Sequence, residues 1–515
     1  MVAMVAMVAM AAIRAGTAVF KFKFNFKLRL NLVNWNRYHR YHRYHRYHRI
    51  IALSLLAACG SPVAPTLPIP PADRAFLDTL QQRTFQFFWE RANPANGLVP
   101  DRWPTPSFSS VAAVGFGLPA YAVGIERGWI TRTQGADRVL TTLRFLANAP
   151  QGPAASGVTG HNGLFYHFLD MQTGMRFAQV ELSTIDTGLL MAGVLFCAEY
   201  FSGGDARESE IRTLADSLYR RVNWQWMVNN PGRISMGWHP ETGYIASEWH
   251  GYDESMILMI LALGSPTHPV DSVIWTNYTS TNKWGTFYGQ AHVGFAPLFG
   301  HQYSHIFIDF RGIQDPYIRA RGIDYFENSR RATLAQRAYA IDNPMNWSGY
   351  GEDVWGLTAA DGPVGATLPV NGVQRQFWTY SARGASHTEI RDDGTLAPTA
   401  AGGSLPFVPE LAARALRTMR ERYAQGLWGE YGFFDSFNPT FQWPDVNVQH
   451  GRVVPGLGWF DGDYLGIDQG PIVLMIENHK SELIWKHMRR NPHVIRGLRR
   501  AGFAGGWLDT AASMR

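Results

Sequence analysis

Asp186 in "IDTGLLMAGVLF", the Asp253–Glu254 pair in "GYDESMILMILAL" and Asp468 in "IDQGPIVLMIEN" each stand at the start of a run that is apolar on all sides. Two chemistries suit an acid there. One is helix capping, in which the carboxylate accepts backbone N–H bonds and meets the positive end of the helix dipole. The other is catalysis. If buried helices run parallel, their N-terminal ends gather at one mouth and the acids converge. Two carboxyls so placed, one protonated and one ionised, are what general acid–base cleavage of a glycosidic bond requires. Glu254 is the candidate proton donor, because an apolar helix and an ionised Asp253 beside it both raise a carboxyl's pKa.

Further acids and rings lie in Gly- and Trp-rich stretches. "EWHGYDE" carries Trp249, His250 and Asp253; "GYGEDVWG" carries Glu352, Asp353 and Trp355; "GLGWFDGDYLG" carries Trp459, Asp461 and Asp463. Asp186 and Asp463 are further candidates for a catalytic carboxylate. Asp461, Asp463 and Asp468 suit water activation or binding of sugar hydroxyls. Trp249, Trp355 and Trp459 can stack on sugar rings, although any single Trp is more simply core. His239, His250 and His305 can bond hydroxyls or brace the fold. "DFRGIQD", with Asp309, Arg311 and Asp315, is either a salt-bridge node or a substrate clamp.

The elements that must hold these residues read as helix, loop, helix from residue 73 onward. Some helices are amphipathic and charged ("SEIRTLADSLYRR", "SRRATLAQRAY", "LAARALRTMRER"). Others are apolar all round, hence buried on every side. That alternation suits a toroid, an inner ring of helices wrapped by an outer one. Asp73 is a candidate cap for the first helix. "GLFYHFLD", "MRFAQVEL" and "FWTYSA" read as short β-hairpins in the connecting loops. No Pro/Gly/Ser-rich linker follows residue 75, so residues 74–515 are expected to form one domain.

Composition excludes some functions. Residues 1–58 hold ten of the 47 Lys/Arg and none of the 41 acidic residues, so the rest of the chain is net acidic despite the overall +6. The basic pI therefore belongs to the leader and gives no footprint for nucleic acid. Within 1–58, "MVAMVAMVAM", "KFKFNFKLRL" and "RYHRYHRYHRYHR" are low-complexity repeats. Arg49 and "IIALSLLAACGS" then read as a secretory signal. "LAAC" resembles a bacterial lipobox, which implies lipid on Cys59, a tether over 59–73, and an exported protein anchored in the bacterial cell envelope. Cys197, the other cysteine, is read as a small core residue. No cysteine pair or H-E-x-x-H spacing points to a metal, and no cofactor is expected. A monomer acting on a polysaccharide or oligosaccharide is expected.

"STIDTGLLMAG", "GYDES", "ALGSPTHP", "FGHQYSHIFIDFRGIQD", "GYGEDVWGLTAADGP", "GFFDSFNP" and "YLGIDQGPIVLMIENH" together resemble the bacterial glycoamylase-like proteins. These include glycoside hydrolase family 144 and the central domain of cyclic β-1,2-glucan synthases. The resemblance runs over roughly residues 74–500. It implies an all-α fold, an (α/α)6 toroid, and action on β-1,2-glucan. The Glu of "GYDE" (Glu254) and the Glu of "GYGE" (Glu352) match carboxylates expected to be functional. Asp186 falls where the family's endo-glucanases carry several acids, and this chain has Ser183 and Thr184 just before it. A transglycosylase on the same scaffold and a non-catalytic glycan-binding lipoprotein are the alternatives.

Overall fold

The computed structural model describes residues 69–511. Cys59, the repeat leader and most of the expected tether lie outside them. Among the described residues, ten helices of nine or more residues carry the architecture: α1 Pro71–Arg91, α2 Val111–Glu126, α3 Arg132–Asn148, α4 Thr184–Tyr200, α5 Ala206–Arg221, α6 Met256–Gly264, α7 Tyr325–Asp342, α8 Pro409–Leu427, α9 Gly466–Ser481 and α10 Pro492–Arg500. Their packing follows their polarity. The apolar helices touch one another, α9 on α2, α2 on α4 and α4 on α6. The charged ones cover them: α1 lies on α2 and α9, α8 on α1, α3 on α2, α5 on α3 and α4, and α10 on α6. A helix buried on every side satisfies its backbone internally, so an all-apolar surface is tolerated only in such an inner layer. Among the described residues no helix is long and apolar enough to cross a membrane.

Close approach of the inner helices depends on missing side chains. A Cβ added at Gly193 on α4 would fall 2.2 Å from the carbonyl oxygen of Gly115 on α2, and one at Gly115 would fall 2.6 Å from that of Leu189. These two glycines let the backbones meet with nothing between them.

The strands are short. Gly160–His161, Leu164–Tyr166, Leu182–Ser183, Gly237–His239 and Gly243–Tyr244 form an antiparallel five-stranded sheet, with Phe165 opposite Ser183 and Ser183 opposite Gly237. Of the expected hairpin pieces, "GLFYHFLD" and "MRFAQVEL" contribute Leu164–Tyr166 and Leu182 to this sheet at the start of α4, whereas Ser381–Ala382 of "FWTYSA" pairs separately with Ala359–Ala360. At the first described helix the expectation is corrected. The tether does not reach residue 73, because a prolyl ring presets the first-turn φ and α1 already begins at Pro71. Asp73 is not its cap. It lies buried inside the first turn and pairs with Arg417 of α8.

Candidate active site

The mouth of α6 is fixed by hydrogen bonds. Asp253 Oδ1 accepts from Ser255 N (2.9 Å), Ser255 Oγ (2.6 Å) and the Tyr278 hydroxyl (2.9 Å). Ser304 Oγ accepts from Ile257 N at 2.9 Å and donates to Glu254 O at 2.8 Å. The residue flanking α6 is Ser255, so Asp253 closes a turn ahead of the helix instead of capping it. Burial raises both carboxyls above the ordinary range, and Asp186 adds to the rise at Glu254. Three donors meet Asp253 and favour its charged form. Burial and the neighbouring Glu254 outweigh them and push Asp253 up to about 8, and burial raises Glu254 with it.

Asp186 belongs to the first turn of α4. Ser183 Oγ accepts from Asp186 N at 3.2 Å and donates to Asp186 Oδ2, a reciprocal cap. The sheet presents two more groups to it. His167 follows Tyr166 and Glu181 precedes Leu182. His167 Nδ1 meets Glu181 Oε1 at 2.8 Å, and Nε2 lies 3.6 Å from Asp186 Oδ1. Burial pushes the imidazole down, but Asp186 and Glu181 outweigh it and hold His167 up to about 9. Asp186 is itself raised by burial, against the pull of His167 and Ser183. Trp249 donates from Nε1 to Thr184 Oγ1 at 2.8 Å, tying the loop before α6 to the start of α4.

A third group gathers on Arg102. The strand Arg102–Trp103 pairs with Tyr464–Leu465 and sets Arg102 among aspartates. Its Nη1 meets Asp361 Oδ2 at 2.8 Å and Asp463 Oδ2 at 3.6 Å, and its Nε lies 3.5 Å from Asp101. Asp435 Oδ2 accepts from Asp361 N (2.7 Å), Asp461 Oδ1 from Gly462 N (2.7 Å) and Asp463 Oδ1 from Thr105 N (2.9 Å). The second oxygens of Asp361, Asp435, Asp461 and Asp468 are buried without a protein partner. Oxygens of Asp361, Asp435 and Asp461 lie within 4.8 Å of one another, close enough to share a cation, a water or a sugar hydroxyl. Burial and mutual repulsion raise Asp461 and Asp468 well above the ordinary range and Asp435 to about 6. Asp468, the proton-bearing partner, hydrogen-bonds to Asp435. Burial raises the phenol of Tyr303 well above its ordinary value, and the charges of Asp468, Glu254 and Asp435 add to the rise.

The Glycoamylase family profile matches residues 246–492. A solved glucoamylase-family structure from Bacteroides uniformis is 31% identical, with 85% of this chain and 100% of that one covered and a TM-score of 0.72. The chain belongs to the glycoamylase-like family. This glycoamylase-like protein is also similar to an endo-β-1,2-glucanase from Chitinophaga pinensis solved with sophorotriose and glucose: 28% identity, 84% and 99% coverage, TM-score 0.71. It is 30% identical to an exo β-1,2-glucooligosaccharide sophorohydrolase (non-reducing end) of Parabacteroides distasonis over 84% of its own length. It spans 58% of the length of that curated relative.

Several expected site residues fall elsewhere in the glycoamylase-like fold. Glu352 does not join the buried acids. Its carboxylate is 66% exposed and pairs with Arg337 of α7 at 2.9 Å, because the turn carrying it packs along α7. Arg311 is a structural node: it pairs with Asp309 and Glu482 and lies over the Trp485 ring. Asp315 caps a short helix, accepting from Ile318 N at 2.9 Å and from Trp275 Nε1 at 2.7 Å. His305 is buried against Phe310 and Phe407, bonds Ser329 Oγ at 3.1 Å, and is pushed down to about 3 by burial, so it braces the core. Trp355 is fully buried, and Trp459 packs in a second apolar cluster with Trp347, Phe377 and Phe441. His239 lies beside Arg176, His250 is exposed, and Asp353 is half-buried. The sequence reading missed Asp101, Arg102, His167, Glu181, Asp361, Asp435 and Tyr303. Asp361 and Asp435 sit inside "TAADGP" and "GFFDSFNP", where nothing local separates a catalytic acid from a turn acid.

Proposed function

We propose that this chain is a glycoside hydrolase that cuts β-1,2-linked glucan, with Glu254 as the general acid. The carrying observation is a set of carboxyls with raised pKa values that act together on the buried phenol of Tyr303: half-buried Glu254 at the mouth of α6, and an aspartate group in which Asp435 stands at about 6. Asp435 is the proposed base. Its acidity near 6 lets it be charged at neutral pH yet accept a proton, and its Oδ1 is free to take water. Asp461, Asp463 and Asp468 shape the site around it. Relatives that act on β-1,2-glucans support the linkage. The inner and outer helix layers support reading the fold as an (α/α)6 toroid with this mouth at one end. Lipid attachment at Cys59 would place the enzyme in the cell envelope.

The test is a digestion panel of β-1,2-, β-1,3-, β-1,6- and α-linked glucans, read by chromatography, with the anomeric form of the product followed by NMR. Release of short oligosaccharides from β-1,2-glucan alone is the expected result. Cleavage confined to another linkage, or binding with no cleavage of any glucan, overturns the reading.

A further inference from the structure

We propose that Arg383 is a positioning residue for Asp435: it holds the peptide between Ala360 and Asp361 so that the Asp361 N–H is aimed at one oxygen of the Asp435 carboxylate and the other oxygen is left to water. The inference rests on the reading of Asp435 as the base and extends it to a side chain behind the reacting groups.

Arg383 is fully buried, a costly place for a guanidinium, and it commits its N–H groups to one carboxylate and to carbonyls. Nε donates to Asp393 Oδ1 at 2.6 Å and Nη2 to Asp393 Oδ2 at 2.8 Å, the two-pronged pairing that fixes a guanidinium plane. That carboxylate is held in turn by the backbone N–H groups of Trp378 (2.9 Å) and Thr395 (3.1 Å). With this edge fixed, Nη2 reaches Trp378 O at 3.0 Å and Nη1 reaches Ala360 O at 2.7 Å. The bond to Ala360 is the one that bears on the site. Ala360 O and Asp361 N belong to a single planar trans peptide, whose C=O and N–H point in opposite directions, so fixing the carbonyl fixes the N–H. That N–H donates to Asp435 Oδ2 at 2.7 Å. Guanidinium, peptide and carboxylate thus form one chain of hydrogen bonds, in which the cation polarises the peptide and strengthens its N–H as a donor. The surroundings leave the peptide little slack. Ala360 lies opposite Ser381 in a short ladder, Ser436 Oγ donates to Asp361 O at 2.9 Å, and Asp435 N donates to Asp463 O at 2.9 Å. A Cβ at Gly362 would fall 2.1 Å from Arg383 Nη2 and 2.2 Å from Trp378 O, so the close approach depends on glycine. Asp435 Oδ1, buried without a protein partner, is the oxygen left to meet water. The other groups facing Asp435 do not replace this hold. Asp361, Asp461 and Asp468 are acids, and Arg102 bonds the Asp361 carboxylate instead.

The variant is Arg383→Lys in the full-length protein, which keeps a charge for Asp393 but has no fork to hold Ala360 O as well. A peptide free to swing loses its grip on Asp435, whose charged form is then less favoured. The acidic limb of the kcat profile is expected to move about one pH unit to the alkaline side, with kcat at pH 5 falling about tenfold and KM staying within about twofold. A curve lowered at every pH without moving, or a KM that rises in step with the loss, marks a residue that only braces the fold and overturns the proposal. If Arg383→Lys does not fold, the double variant Arg383→Met, Asp393→Asn removes the buried charges as a unit and is read the same way. A second readout needs no substrate. In the unaltered protein the Asp361 amide proton should shift with an inflection at about pH 6, as Asp435 ionises. The carboxyl-carbon midpoint of Asp435, assigned by difference with Asp435→Asn, should rise in the Arg383 variant. An Asp361 amide that ignores the titration, or an unmoved midpoint, refutes the proposal even if the protein cuts glucan. A coupled amide and a shifted midpoint, in a protein that cuts no glucan, leave it standing and remove the hydrolase reading instead.

Discussion

Replacing Glu254 with Gln and Glu352 with Gln should separate the two carboxyls that the motifs place side by side. Glu254 is raised by burial at the end of an apolar helix, with Asp186 adding to the effect. Gln keeps its size and its backbone turn but has no acidic proton. General acid assistance is worth roughly 10²–10⁴ in rate, or about 3–5 kcal/mol of barrier. Turnover of β-1,2-glucan by Glu254→Gln is therefore expected to fall at least about a hundredfold, with the thermal unfolding profile preserved. Glu352 is solvated and held only by Arg337. Exposed pairs of this kind contribute little, and Glu352→Gln should stay within about twofold of the native rate. The assay is oligosaccharide release measured on matched protein. A β-glucoside whose leaving group departs without a proton serves as control, and Glu254→Gln should recover most of its activity on it. The reasoning fails if Glu254→Gln keeps more than a tenth of the native rate on glucan while Glu352→Gln loses the hundredfold.

Arg102→Leu removes the cation from Asp361, Asp463 and Asp101, and losing one partner of a buried ion pair costs about 3–5 kcal/mol, so denaturant unfolding should show a loss of that order. Asp435 is raised to about 6 in the folded state, so its share of stability is complete below pH 4 and is lost as pH rises through 6; Asp468, raised further, behaves alike. Asp468→Asn can still donate to Asp435 but has no charge to bury, so its melting temperature should gain on the native one as pH goes from 4 to 8. Gly193→Val places a side chain against the Gly115 carbonyl and should cost about 1–3 kcal/mol by denaturant titration. If Cys59 carries lipid, mass spectrometry of a membrane fraction will find it at the mature N-terminus; a soluble product starting elsewhere refutes that expectation.

The inner helices were readable because nothing but burial explains runs such as Met256–Gly264, every residue of which is buried. Their acids were readable as a set because each stands at the same point of the pattern. The aspartate group was not. Arg102 and Asp361 meet across 259 residues of chain, each on a short extended piece with no periodicity of its own. Glu352 was favoured for its motif, yet its partner Arg337 lies on a charged helix whose outward face gives no sign of which loop covers it. His167 and Glu181 left a weak signal. Each is a lone charge-bearing residue in a mostly apolar stretch, "LFYHFL" and "QVEL", where such a group needs a buried partner.

Helix α6 is held at its far end as firmly as at its mouth. Arg496 and Arg500 of α10 donate to the carbonyls of Gly264 and Leu263, and Gly497 lies so close to Ile260 that a Cβ there would sit 2.0 Å from its carbonyl oxygen. A nine-residue helix is only about 13 Å long. It behaves as a short rigid strut whose tip carries Glu254 and whose base is bolted to the outside of the molecule. Optimising such an enzyme need not touch the cleft at all. A side chain at Gly497 would press on the base of the strut, and its effect on turnover is expected to reach the acid from the back of the protein.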